Sequence, residues 1–373
     1  MKKIAFLSGT RADFGKLKSL IQAVQKDAEF EYGIFATGMH LLEKYGMTVI
    51  EIEKAGFKNI QRFKNHTSEA TMDLTLAKTI EGFSAYVKEF KPDLIVVHGD
   101  RVEALAGAIV GSLNNILVGH IEGGELSGTV DELIRHSVSK LSHIHFVSNK
   151  TAARRLVQMG ELESSIFTVG SADLDVLFSS ELPTLETVKT YYDISFDKYA
   201  VVLYHPVTTD FSNTKLNASQ FVNSLLQDDS KYIVIFPNND LGSTEILEEY
   251  DKLTDNPRFR IFPSLRFEYF ITLLKNAKFL IGNSSAGIHE APYLGIPTIN
   301  IGRRQENRDL HTDTIIHVPN SLNAILNGIE TAKNLQINPK KRKSTQKAAT
   351  LFLQELHSEE IWKIDQQKQF RDI

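Results

Sequence analysis

The chain has 373 residues, no cysteine, 42% hydrophobic and 24% charged side chains, and a formal net charge of -4 from 42 basic and 46 acidic groups. This composition excludes a disordered chain, a disulfide framework, a thiolate nucleophile and a cysteine-ligated metal, and supplies no global field for nucleic acid or an anionic membrane. The length exceeds one ordinary core and suggests two domains.

In chain order, Met1-Lys2-Lys3 leads into a short apolar run that stops at Gly9 and Arg11. That run falls short of a signal-peptide core and no later segment reaches membrane-span length, so a cytoplasmic protein is expected. The apolar runs are Ile4–Ser8, Tyr32–Thr37, Leu94–His98, Ile116–Ile121 and Ile144–Ser148. They resume with Ala200–Tyr204, Tyr232–Phe236, Arg260–Phe262, Phe279–Ile281 and Thr298–Ile301. Continuous apolar runs bounded by polar turns read as strands buried on both faces. Segments between them, such as Val102–Leu113 and Phe267–Asn276, have helical length and spacing. Alternating strand and helix predicts an α/β protein of doubly wound domains, and two of them in tandem would leave a central cleft at the carboxyl ends of both sheets. The rhythm loosens between Gly170 and Lys198, where the boundary is placed. Toward the end, Ser344–Leu356 reads as a helix and the basic run Lys340–Lys343 as a solvated face.

The turn Ser8-Gly9-Thr10-Arg11-Ala12-Asp13-Phe14-Gly15-Lys16 follows the first strand. A helix N-terminus there, with Arg11 and Lys16, could cradle a diphosphate. Taken alone it reads better as an ordinary βα turn with Asp13 near the helix start. The run Gly282-Asn283-Ser284-Ser285-Ala286-Gly287, with Glu290 beyond, again follows an apolar strand and begins a helix. Its amide and hydroxyl donors suit an anion and Glu290 a ribose, whereas N-capping explains only one of the serines.

The densest region runs from His98 to His145. His98-Gly99-Asp100-Arg101 ends one strand and His120-Ile121-Glu122 the next, so Asp100 and Glu122 should share one sheet edge. The glycine-bearing loop from Gly123 to Asp131 can bend toward a ligand, and Arg135 and His136 follow. Asp100 could instead cap the helix after it, and Thr129 with Glu132 matches a capping box. Five of the 12 histidines fall here. His143 and His145 share a strand face, but the set lacks a metal-site spacing, and hydrogen-bonded histidines without metal are expected.

Together these strings resemble the hydrolysing UDP-N-acetylglucosamine 2-epimerases of bacterial sialic-acid synthesis. The matching segments are Gly9–Lys16, His98–Arg101, His120–Asp131 with Ile134-Arg135-His136, Phe236–Asp240, Arg266–Phe270 and Gly282–Gly287, reaching to about Arg308. The resemblance implies the GT-B arrangement: an N-terminal Rossmann-like catalytic domain over 1–175, a C-terminal Rossmann-like UDP-binding domain over 176–345, and a C-terminal helix over 346–373 packing back toward the first. It implies the reaction of UDP-N-acetylglucosamine with water to N-acetylmannosamine and UDP, the first step of sialic-acid biosynthesis for capsule or surface glycan. Asp100, Glu122 and Asp131 would be the catalytic carboxylates. Arg11, Lys16, Arg101, His205, Asn238, Arg266, Ser284, Ser285, Gly287, Glu290 and Arg304 would bind the UDP-sugar, with Arg303 competing with Arg304 for the phosphates. His40, His98, His120, Arg135, His136 and His145 would support them. No cofactor and no metal are expected; the implied partners are the UDP-sugar, UDP and further copies of the chain, as a homo-oligomer (dimer or tetramer). Alternatives are the same reaction on UDP-N,N'-diacetylbacillosamine for legionaminic acid, a GT-B glycosyltransferase, and a non-catalytic UDP-sugar sensor.

Overall fold

The computed structural model describes residues 1–66, 71–306, 308, 313–339 and 346–369. The chain divides into two compact units. The first comprises Met1–Glu125, Asp131–Phe178 and Ser344–Ile373; the second comprises Leu126–Val130 and Ser179–Lys343. Among the described residues no helix is long and apolar enough to cross a membrane. The basic run Lys340–Lys343 lies outside the described residues.

The first unit holds a seven-stranded parallel sheet of β1 (Lys2–Ser8), β2 (Phe30–Ala36), β3 (Ile60–Arg62), β4 (Leu94–His98), β5 (Leu117–Ile121), β6 (Ile144–Val147) and β7 (Ile166–Thr168). Their order is β3-β2-β1-β4-β5-β6-β7. The second holds six parallel strands: β8 (Ala200–Leu203), β9 (Tyr232–Ile235), β10 (Phe259–Phe262), β11 (Leu280–Gly282), β12 (Thr298–Ile301) and β13 (Ile315–Val318). Here the order is β10-β9-β8-β11-β12-β13. Both are Rossmann-like, and the strand order of each reverses once, between β1 and β4 and between β8 and β11. Such switch points open a crevice at the carboxyl ends of the strands.

Of the thirteen strands among the described residues, ten coincide with apolar runs of the sequence; β3, β7 and β13 do not. All three are edge strands, and their residues are half-buried or exposed. A strand covered on one side only needs no continuous apolar run, so that signal is absent at sheet edges.

The helix Val102–Leu113 has the bounds expected, and Phe267–Lys275 ends one residue early, at its Asn276 cap. The late helix runs Ala348–His357, and of the expected start Ser344 and Thr345 lie outside the described residues. In the first unit this helix buries Phe352 against Phe146, with ring centroids 4.7 Å apart. Truncating so buried an aromatic costs about 3–5 kcal/mol. Beyond it Trp362 stacks on Phe30, and Lys2 lies over the indole at 5.0 Å.

Candidate active site

In the first unit β4 and β5 run side by side, with His98 opposite Ile121. The chain leaves both strands through left-handed backbone, φ 72° at Gly99 and φ 62° at Glu122. For glutamate this costs on the order of 1 kcal/mol and persists only where the surroundings impose it. Glu122 N–H donates to Phe146 O at 3.1 Å, and its carbonyl accepts from Arg135 Nη1 at 2.9 Å. Arg135 Nη2 in turn donates to the Asp100 carboxylate. One guanidinium therefore fixes the distance between the two strand ends.

Arg135 is 3% exposed. Burial works against its charge, but Asp100, Glu122, Glu125 and Asp131 raise its pKa further. Asp131 stands one turn before it on the helix Val130–Leu141, the spacing at which helical side chains interact. The three expected carboxylates thus surround a single cation. Asp100 does not cap the next helix: the cap position is Arg101, whose Nε donates to Glu103 at 3.3 Å.

Glu122 is held from several elements at once. Lys16 Nζ lies 3.1 Å from both its oxygens, His98 Nε2 3.1 Å from Oε2, and Ser171 Oγ 3.1 Å from Oε1. Lys16 also lies 3.8 Å from Asp173, which is 1% exposed. The lysine expected on the nucleotide is therefore ion-paired to two carboxylates.

The first turn behaves as its plainer reading had it. Thr10 and Asp13 form a capping box, and Asp13 accepts Gly9 N–H at 2.9 Å and Thr10 N–H at 3.1 Å. Those donors are spent within the turn rather than offered to a phosphate. Ser8 Oγ lies 2.5 Å from Asp13 and 2.9 Å from His40 Nε2, and His40 Nδ1 lies 2.7 Å from Thr48 Oγ1. Burial, with the nearby Arg11 charge, pushes His40 down to about 3. Burial raises Asp13, against its hydrogen bonds from Ser8 and Gly9.

The remaining histidines serve as braces. His120 joins Ser139 Oγ (3.0 Å) to Gly99 O (2.8 Å), and burial pushes it down to about 3. His145 Nε2 meets Glu161 at 3.0 Å, while His143 Nδ1 accepts Val118 N–H at 3.0 Å. His136 pairs with Glu132 on its own helix at 3.4 Å. No group of three or more potential metal-ligating side chains occurs among the described residues.

In the second unit the expected residues follow successive strands at one sheet edge: His205 after β8, Asn238 after β9, Arg266 after β10, Ser284 and Ser285 after β11, and Arg303 and Arg304 after β12. The Asn283 side chain spans the switch point. Its Oδ1 accepts His205 N–H at 2.7 Å and its Nδ2 donates to His205 O at 2.8 Å. His205 Nδ1 accepts Asn238 N–H at 3.1 Å. Gly282 (φ 143°) is required beneath this clamp, because a Cβ there would fall 1.9 Å from Leu203 O.

Three features differ from the sequence reading. The Asn283 amide, expected among the ligand donors, is committed to His205. Gly287 N–H bonds Ser284 O at 3.2 Å, and its bare Cα faces Thr298, whose Cγ2 would lie 2.4 Å from an added Cβ; it is a packing residue. The helix after the serines breaks into Ala286–His289 and Ala291–Leu294, with buried Glu290 between them. Ser284 Oγ accepts Ala286 N–H at 3.3 Å. Of the two arginines, Arg304 Nη1 reaches Asn283 O at 3.3 Å, whereas Arg303 pairs with Glu306 and its side chain is 83% exposed. Arg266 stacks on Tyr191 (4.8 Å) and Tyr269 (5.4 Å). Within this unit the segment Leu126–Val130 is held by Gly128 N–H to Arg304 O (3.3 Å) and Arg308 Nη2 to Ser127 Oγ (3.1 Å).

Sequence reasoning missed Ser171, Asp173 and the clamp role of Asn283. The first two follow β7, an edge strand with no apolar run, and so fell into the interval read as a boundary. Only a strand assignment at Ile166–Thr168 would have placed them at the same edge as Glu122.

Comparison with known proteins adds a family. The family model described as UDP-N-acetylglucosamine 2-epimerase matches residues 22–364. The UDP-N-acetylglucosamine 2-epimerase of Neisseria meningitidis serogroup B is 44% identical over 377 residues, spanning 100% of both chains. The UDP-N,N'-diacetylbacillosamine 2-epimerase (hydrolyzing) of Legionella pneumophila is 35% identical, covering 90% of this chain and 89% of its own. Among solved structures, the Methanocaldococcus jannaschii UDP-GlcNAc 2-epimerase in complex with UDP-GlcNAc and UDP superposes with a TM-score of 0.80 at 24% identity, over 95% of this chain and 99% of that one. At that identity the superposition carries the fold, two Rossmann-like sheets of GT-B type.

Proposed function

The chain belongs to the UDP-N-acetylglucosamine 2-epimerase family, and from that premise we propose that it converts UDP-N-acetylglucosamine and water to N-acetylmannosamine and UDP. The observation that carries this reading is the grouping of Asp100, Glu122 and Asp131 about Arg135 in the first unit. In this reading UDP is held by His205, Asn238, Arg266, Ser284, Ser285, Glu290 and Arg304, with Arg11 and Arg101 as further substrate-binding residues.

The chemistry calls for two things. UDP must leave C1 while the C2 proton is removed, and that proton is next to no carbonyl, so C1–O cleavage runs ahead with oxocarbenium character. Carboxylates stabilise such a cation, as in glycoside hydrolysis, and arginine with oriented backbone donors stabilises the departing diphosphate. Water then adds to C1 of the resulting glycal as a proton returns to C2 with the opposite configuration. This needs one group as base and one as acid, and carboxylates in unlike surroundings provide them. Here Asp100 is bound to a guanidinium and partly exposed, Glu122 is buried among lysine, histidine and serine, and Asp131 is half-buried at a helix start.

Incubation with UDP-N-acetylglucosamine in deuterated water, followed by proton NMR of the released sugar, tests the reaction. Free N-acetylmannosamine with deuterium at C2 is the expected product; release of UDP with the sugar still in the gluco configuration would overturn it. The Legionella relative favours one further substrate, UDP-N,N'-diacetylbacillosamine, and the ratio of kcat/KM on the two UDP-sugars decides between them. The proposed setting is the cytoplasm, where N-acetylmannosamine would enter sialic-acid synthesis, with the protein acting as a homo-oligomer.

A further inference from the structure

Glu103, in the first turn of the helix Val102–Leu113, is 1% exposed. Arg101 Nε donates to its Oε2 at 3.3 Å, and among the described residues its Oε1 has no hydrogen-bond partner. Two glycines make the room it occupies. A Cβ at Gly9, after β1, would fall 2.8 Å from Glu103 Cδ, and one at Gly38 (φ 60°), after β2, would fall 2.6 Å from Oε1. A side chain from the helix after β4 thus reaches over the carboxyl ends of β1 and β2, at the switch point of the first sheet.

An acid in the first turn supports the helix macrodipole from an exposed position as well as from a buried one. Burying it is costly, and more so when one acceptor oxygen goes unserved. Helix stability therefore accounts for the residue type but not for its burial. What burial supplies is a fixed carboxylate beside a guanidinium. The Arg101 side chain is 20% exposed, and a long side chain of this kind loses rotamer freedom when it binds an anion. Held at Nε, its plane is set before the ligand arrives.

Resting on the reading of Arg101 as a substrate-binding residue, we infer that Glu103 is a positioning residue that fixes the Arg101 guanidinium for the diphosphate of the UDP-sugar. Glu103 touches no reacting atom and makes or breaks no bond; it acts through Arg101. A planar fork suits the paired oxygens of a phosphate. The diphosphate gains negative charge as it leaves C1, so a guanidinium already in place favours departure more than it favours binding of the intact substrate.

Glu103→Gln keeps the shape and removes the charge. Its kcat on UDP-N-acetylglucosamine should fall about tenfold, with KM within about threefold. The same substitution is then made in Arg101→Ala: with the guanidinium gone, Glu103→Gln should change kcat by less than about twofold. Gly9→Ala, whose methyl group displaces the Glu103 carboxylate, should depend on Arg101 in the same way, and it carries the test if Glu103→Gln does not fold. Equal losses in the two backgrounds would make Glu103 a structural helix acid and overturn the inference, as would a full rate for Arg101→Ala. Failure of the wild-type protein to release UDP would instead sink the parent reading, a separately recognisable result.

Discussion

Arg135 donates to the Asp100 carboxylate with one arm of its guanidinium and to the Glu122 carbonyl with the other. A planar fork can serve both acceptors, whereas the single ammonium of lysine cannot hold the same geometry. Arg135→Lys should therefore fold with a loss of about 2–3 kcal/mol. It should lose about a hundredfold in kcat through displacement of the two carboxylates. Urea unfolding and steady-state kinetics read the two effects; an unchanged kcat would show that the fork does not set the site.

Replacing Asp100, Glu122 or Asp131 by its amide removes a charge while keeping the shape. Each change should lower kcat by about two orders of magnitude or more, with UDP affinity by calorimetry within about threefold. Wild-type rates in all three would refute the assignment of these carboxylates to the chemistry.

His40 and His120 are both fully buried and are held neutral, at about 3 against an ordinary 6.5. The unfolded chain binds protons at these positions from pH 6.5 downward while the folded chain does not. Stability should therefore fall with pH across the window from 6.5 to 3, by about 2 kcal/mol per histidine at pH 5. Denaturant titrations at pH 7 and pH 5 measure the loss, and His120→Asn should show about half of it.

Glu161 has the opposite sign. Burial opposes its charge, but a hydrogen bond from His145 and the ammonium groups of Lys368 and Lys140 hold it at about 2 against 4.5. Its contribution is complete above pH 4.5 and is lost as pH falls toward 2. The stability gap between wild type and Glu161→Gln should narrow by about 2 kcal/mol between pH 6 and pH 3. Because Lys368 also donates to Ser142 O at 2.6 Å, Lys368→Ala should loosen the segment around it, and faster amide exchange at Gln366 and Gln367 would register it.

In the second unit, Asn283→Ala leaves His205 N–H and C=O without their partner in a part-buried position. A loss of about 2 kcal/mol in stability and about tenfold in UDP affinity is expected. Retained affinity would separate the clamp from the nucleotide site.

The interior of both sheets, and the strand ends that carry charge, could be read from the residues without any coordinates. Val96, Val97, Val118 and Val234 are all fully buried, and a run covered on both faces cannot disguise its apolar character. The charged ends at Asp100, Glu122 and Arg304 were legible for the same reason, since each breaks such a run. The partners of those groups came only from the assembled fold. Lys16 faces Glu122 across 106 residues of chain, Asn283 closes on His205 across 78, and Ser171 reaches Glu122 across 49. No local spacing encodes such distances; they follow from strand order, which the sum of long-range packing sets. Edge strands such as β7 hid the rest: with one face open to water they carry little apolar signal, and Ser171 and Asp173 came into view only once the sheet was assembled.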